Sequence, residues 1–190
     1  MRNETTLHTI IVLSLILFSS LTSHASQVKS VTFQDTYETG EGSLKIRGTG
    51  LLRYMVLIKA YVGVLYLPEN VSSNEALSDV PKRLEVEYFQ HIKGEAFGPA
   101  TRKLIAANVD DETFAKLKEK IEHHATFYED VKPGDRYSLT YLPGIGTELA
   151  LNGIPKGTIE GADFAAALFA IWLGPRPMDE SFKSQILGLK

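Results

Sequence analysis

The chain has 190 residues, with 20 Lys and Arg against 23 Asp and Glu, and no cysteine. A net charge of −3 without a basic block argues against nucleic acid as a partner, and the missing thiols exclude disulfides, a cysteine nucleophile, a zinc–thiolate site and a cysteine-linked lipid anchor. Hydrophobic residues make up 44%, enough for one domain held by its core alone.

Met1 to His8 is a short polar start, and Thr9 to Leu21 is an apolar run. That run has the length of a signal-peptide core and is too short to cross a bilayer. Ser23-His24-Ala25 supplies the small-x-small pattern that signal peptidase cuts. The expectation is a signal peptide over residues 1–25, cut near Ala25. The mature domain, residues 26–190, is then periplasmic or secreted, with no membrane span.

Val31 to Tyr37 reads as a first strand and Ser43 to Arg47 as a short second one. Tyr54 to Leu67 is rich in β-formers and ends in the turn Leu67-Pro68-Glu69-Asn70. Asn74 to Ser78 fits one helical turn. Lys82 to His91 alternates, with Leu84, Val86 and Tyr88 on one face and Glu85 and Glu87 on the other, as in a half-buried strand. Gly94 to Asn108 then holds Phe97, Ala100, Leu104 and Ala107 near helical spacing. Asp110 or Asp111 caps a second helix reaching about His124, with Phe114, Leu117 and Ile121 inward.

Lys132-Pro133-Gly134-Asp135 is a turn, and Tyr137–Leu142 and Thr147–Leu151 are strands. Asn152-Gly153 marks a hairpin, because both residues tolerate positive φ. Thr158 and Ile159 close the sheet. Ala162 to Leu173 is an Ala- and Phe-rich helix stopped by Gly174-Pro175, and Asp179 caps a last helix to about Leu187. Strands, helices, strands and helices in that order predict an α+β domain, an antiparallel sheet covered by helices on one face.

Few motifs carry chemistry. Gly144-Ile145-Gly146 lacks the third glycine and following helix of a phosphate loop, and reads as a turn. His123 and His124 are adjacent, so their rings do not converge on a metal, and they read as a solvated helix end. His91 sits at a strand end without an obvious partner, and no nucleophile elbow is present. The sequence implies no metal and no cofactor.

The stretch GTGLLRYMVLIKAYVGVLYL, Gly48 to Leu67, is almost wholly apolar but contains Arg53 and Lys59. Charges cost about 2.5–3.5 kcal/mol each at mid-bilayer, which argues against a membrane span. In one continuous strand, Arg53, Met55, Leu57, Lys59, Tyr61 and Gly63 share a face. That mixed face suits a ligand cleft, with Arg53 as an anchor for a carboxylate or enolate oxygen. Alternatively, Arg53 and Lys59 face water or pair with Glu85 or Glu87 on a neighbouring strand.

The runs GTGLLRY and IKAYVGVLYL, and the stretch from Leu151 to Gly188, resemble the chalcone isomerase-like family. The resemblance implies an open-faced β-sandwich, a large antiparallel sheet layered with helices. It also implies a site. The isomerases of the family close a flavanone ring using an arginine, to which Arg53 corresponds best and Arg47 second. Their threonine falls at Tyr61, their helix tyrosine at Phe97 and their asparagine at Leu104. Phe97 and Leu104 can neither donate nor accept a hydrogen bond, so catalysis of the isomerase type is disfavoured. Fatty-acid-binding members hold a carboxylate with an arginine and a tyrosine, and Arg53 with Tyr61 would be that pair here. The implied ligand site is therefore Arg53, Tyr61, Phe97 and Leu104. The implied partner is a small hydrophobic or amphipathic molecule such as a fatty acid. The alternative is an intramolecular lyase of the isomerase type, relying on Arg53 for an oxyanion.

Overall fold

A computed structural model describes residues 25–28, 31–54 and 58–189. The apolar run Thr9 to Leu21 lies outside the described residues, as do Met55 and Leu57 of the proposed strand face. The elements in chain order are strands β1 (Ala25–Val28), β2 (Val31–Gln34), β3 (Thr36–Thr39), β4 (Gly42–Tyr54), β5 (Ile58–Leu67) and β6 (Lys82–Tyr88). Helices α1 (Gly94–Asn108) and α2 (Asp111–Ala125) follow, then β7 (Arg136–Leu142), β8 (Gly146–Leu151) and β9 (Ile154–Ile159). Helices α3 (Ala162–Leu173) and α4 (Glu180–Ile186) end the chain.

The fold is α+β. Seven strands form one antiparallel meander in the order β3-β4-β5-β6-β7-β8-β9. Such a sheet hides one face under helices and leaves the other free to meet polar surroundings. The inner face packs Leu65, Leu84, Val86, Leu139 and Leu149 against Ile105, Leu117, Ile121, Phe164 and Leu168 of the helices. On the outer face, Val62, Val64 and Tyr66 pack with Val31 and Phe33 of β2, which pairs with β1 in a separate two-stranded ribbon. The ribbon gives the second, partial layer of an open-faced sandwich.

Local signals account for several boundaries. The Asp110 carboxylate accepts from Thr113 N–H and the Asp179 carboxylate from Phe182 N–H, satisfying first-turn donors of α2 and α4. Asn152 and Gly153 adopt φ of 52° and 78° at the β8–β9 turn. Gly50 and Gly63 let α4 lie on the sheet, since a Cβ there would sit 2.9 and 2.7 Å from the Phe182 ring. Helix α3 is buried along most of its surface, which explains its lack of polar residues after Asp163.

Three expectations are corrected. Val31–Tyr37 breaks at Asp35 into β2 and β3, because the first half pairs with β1 and the second with β4. Gly48–Leu67 is not one strand but the ends of a hairpin, with Tyr54 opposite Ile58. Leu52 pairs with Tyr61 and Arg53 with Lys59, so Ala60 is the extra residue of a β-bulge. Arg53 and Tyr61 therefore lie on different strands, and even spacing does not place them on one face. Finally, His124 is not solvated. It is fully buried among the rings of Phe127, Tyr128 and Phe164, because α3 closes over that end of α2.

Candidate ligand-binding site

Between the inner sheet face and helix α1 lies an apolar cavity of about 420 Å³. That volume is within the range of small-molecule pockets, roughly 300–1,000 Å³. The alternation of β6 turns Leu84, Val86 and Tyr88 into it, beside Tyr137 and Leu139 of β7 and Leu149 of β8. The bulge in β5 brings Ala60 and Tyr61 together onto the same wall. Helix α1 contributes Ala96, Phe97, Ala100, Thr101 and Leu104, one stripe at helical spacing. Ile171 and Trp172 of α3, and Met178, complete the side nearest α4. The alanines of α1 leave the space that larger side chains would fill.

No charged residue lines this cavity among the described residues. Its polarity is limited to a few hydroxyl, amide and indole groups. The Tyr61 hydroxyl accepts from Trp172 Nε1–H at 2.8 Å and lies 3.5 Å from Met178 Sδ. Tyr137 donates to the Glu129 carbonyl at 3.0 Å and accepts from Glu129 N–H at 2.7 Å. The hydroxyls of Tyr128 and Thr101 are 3.4 Å apart. The Tyr88 hydroxyl makes no hydrogen bond among the described residues, although the residue is only 6% exposed. Its ring is held edge-on by Tyr61, Phe97 and Tyr137, at centroid separations of 5.6, 5.8 and 6.1 Å. The wall thus offers one uncommitted phenol.

Burial pushes the Tyr61 and Tyr88 phenols well above their usual range, and that of Tyr128 up to about 12. These hydroxyls stay protonated at neutral pH. They can donate or accept hydrogen bonds, and they do not serve as ready bases. A carboxylate sunk among them would lose its hydration without meeting a cation, at a cost of several kcal/mol. The cavity is suited to an apolar body and, at most, a neutral polar group.

Tyr61, Phe97 and Leu104 line this cavity together. Arg53 does not: it is exposed at the end of β4, opposite Lys59, which is also exposed. Its chain neighbour Leu52 is in the wall, as is Ile58 beside Lys59, so the two cations stand next to the mouth. Arg47 lies at a bulge toward the other end of β4, donating to the Val71 carbonyl. Glu85 and Glu87 pair with Arg83 and Arg136 instead of Arg53 or Lys59. Sequence reasoning missed Tyr88, Tyr128, Trp172 and Met178. Tyr88 was legible as inward-facing through the alternation of β6, but an inward tyrosine reads as core until the space beside it is seen.

A family model described as chalcone isomerase-like matches residues 25–188. Among solved structures, the fold is similar to the crystal structure of a fatty-acid binding protein from Arabidopsis thaliana. The TM-score is 0.69 at 12% identity, over 86% of this chain and 96% of that one. At that identity the likeness is one of fold. No curated protein matches the chain.

Proposed function

The chain belongs to the chalcone isomerase-like family, and we propose that it binds a small amphipathic carboxylate, such as a fatty acid, without transforming it. One observation carries this reading: a cavity of about 420 Å³ without a charged lining residue, whose mouth adjoins a pair of exposed cations. The apolar body enters the cavity, where burial contributes about 25 cal/mol per Å². The carboxylate stays at the rim, where Arg53 can bind it in bidentate fashion, with Lys59 beside it. Tyr61, Phe97 and Leu104 form wall around the body of the ligand. The Arabidopsis thaliana protein of the same fold is a fatty-acid binding protein, which supports this choice of ligand class.

The protein acts after export. Cleavage near Ala25 leaves residues 26–190, and the family match begins at residue 25. The mature chain is then periplasmic or secreted, and the N-terminal sequence of the processed protein should begin near Ser26.

Thermal shift of the mature chain against fatty acids of graded length tests the ligand. At a concentration a hundredfold above Kd, one bound acid adds about 2.7 kcal/mol. That corresponds to several degrees for a chain of this size. The methyl ester, and Arg53→Ala with the free acid, should each lose part of the shift. If no acid stabilises the protein, the reading fails. Chalcone cyclisation above the spontaneous rate would overturn its non-catalytic part.

A further inference from the structure

Five large hydrophobic side chains are exposed among the described residues, and two of them, Ile58 at 45% and Met178 at 39%, line this one cavity. Ala96 and Ala100 are exposed on the same rim. Beside Ile58, the exposed side chains Arg53 and Lys59 are directly paired across the hairpin. Like charges in that position repel, and among the described residues neither has an ion-pair partner. Elsewhere eight of the described carboxylates, Glu69, Glu85, Glu87, Glu112, Glu122, Glu129, Asp130 and Asp163, each hold a Lys or Arg. A local cationic pair in a chain of net charge −3 is a feature of this rim and not of the whole surface.

Exposed apolar residues beside uncompensated cations match the surface of an anionic bilayer, with acyl chains below and phosphates at the level of the charges. We propose that the rim of the cavity docks on anionic membrane, seating Ile58 and Met178 in the interface and Arg53 and Lys59 among lipid phosphates. The inference rests on the reading of the cavity as a ligand site and gives it an exchange route. An apolar ligand leaving into water would re-expose its whole body at the cost noted above. Leaving into a docked bilayer, it would not. Lipid phosphates competing for Arg53 and Lys59 would at the same moment loosen the ligand's carboxylate.

The test is co-flotation of the ligand-free mature chain with phosphatidylcholine vesicles, with and without phosphatidylglycerol. Binding is expected only with phosphatidylglycerol, and it should fall as salt is added. Lys59→Gln should weaken it about fivefold, the effect of one cation at such a surface. Ile58→Asp should weaken it at least as much, with circular dichroism confirming that each variant is folded. Equal binding to both vesicle types, no binding to either, or binding indifferent to both substitutions would overturn the proposal. Salt-insensitive self-association lost in Ile58→Asp would overturn it too, by making the rim an interface between copies of the chain. The acid thermal shift is measured separately. A shift without vesicle binding defeats the docking alone, and vesicle binding without a shift keeps the docking surface and removes the cargo.

Discussion

The two faces of the sheet solve opposite problems, and β6 shows both within seven residues. Its outward residues Arg83, Glu85 and Glu87 form a charged network. Arg83 bonds Thr140 Oγ1 at 2.6 Å and Glu85 at 2.8 Å, while Arg136 reaches Glu87 at 2.7 Å, Glu85 at 3.0 Å and the Thr32 carbonyl at 2.9 Å. Both guanidinium groups also lie over rings, Arg83 over Tyr37 and Arg136 over Phe33. Almost every polar group there is spoken for. The inward residues Leu84, Val86 and Tyr88 border empty space, and the Tyr88 hydroxyl has no partner among the described residues. The charged face is a fastening, and the apolar face is where a ligand has room. Density of charge does not mark a site; unfilled volume and unused hydrogen-bonding capacity do.

The sharpest way to break this contrast is Glu85→Ala. Glu85 joins Arg83 and Arg136, and its side chain is only 14% exposed. Removing it leaves two guanidinium groups short of an anion on a largely dry face. Breaking such a buried pair costs about 3–5 kcal/mol, and the partial exposure of Arg136 favours the lower end. The melting temperature should fall by roughly 10 °C. The fatty-acid affinity of the folded protein should not change. Comparable loss of affinity would mean that the outer face supports the site as well as the fold.

Next in size is the buried His124. Neither ring nitrogen has a hydrogen-bond partner among the described residues, and burial, followed by the neighbouring His123, lowers its pKa from 6.5 to about 4. As pH falls through 6.5 the unfolded chain takes up a proton that the folded chain refuses until about 4. Stability should therefore decline between pH 6.5 and about 4, by roughly 3 kcal/mol. Urea denaturation across that window should show the decline, and His124→Leu should flatten it. A slope unchanged by the substitution would assign the acid lability to other groups.

What the sequence disclosed was local. The β6 alternation, the caps Asp110 and Asp179 and the Asn152-Gly153 turn depend on neighbours a few residues away, so they were readable. The hairpin inside Gly48–Leu67 was not, because no Gly, Pro, Asn or Asp interrupts Leu51 to Ile58 to mark a reversal. That omission joined Arg53 to Tyr61 on one imagined strand. The positions Tyr61, Phe97 and Leu104 came from family resemblance, and they meet only because α1 and β5 wall the same cavity. The burial of His124 and the freedom of Tyr88 depend on packing between elements far apart in sequence, and no local pattern records it.

Filling the cavity should separate binding from folding. Ala100 is exposed at the rim and lines the space. Ala100→Trp should lower acid affinity at least tenfold, about 1.4 kcal/mol, by occupying the entrance. Stability should stay within about 0.5 kcal/mol, as for most surface substitutions. Isothermal titration together with a denaturation curve reads both quantities. Undiminished affinity would move the ligand elsewhere.

The smallest effect asks which end of the ligand enters. The Tyr88 hydroxyl bonds nothing in the protein among the described residues, so Tyr88→Phe removes no native hydrogen bond. The fold should keep its stability to within about 0.5 kcal/mol. A plain fatty acid with its carboxylate at Arg53 presents only methylene groups to position 88, and its affinity should also hold. A hydroxy acid of the same length, with its hydroxyl along the chain, can accept the Tyr88 proton. It should lose about fivefold on substitution, one neutral hydrogen bond or ~1 kcal/mol. Measured as a pair, the two acids locate the head. Equal loss for both would put the carboxylate beside Tyr88 and away from the rim. The apolar face would then bind the charged end of its ligand, and the division of labour between the two faces of the sheet would fail where it is most exposed to test.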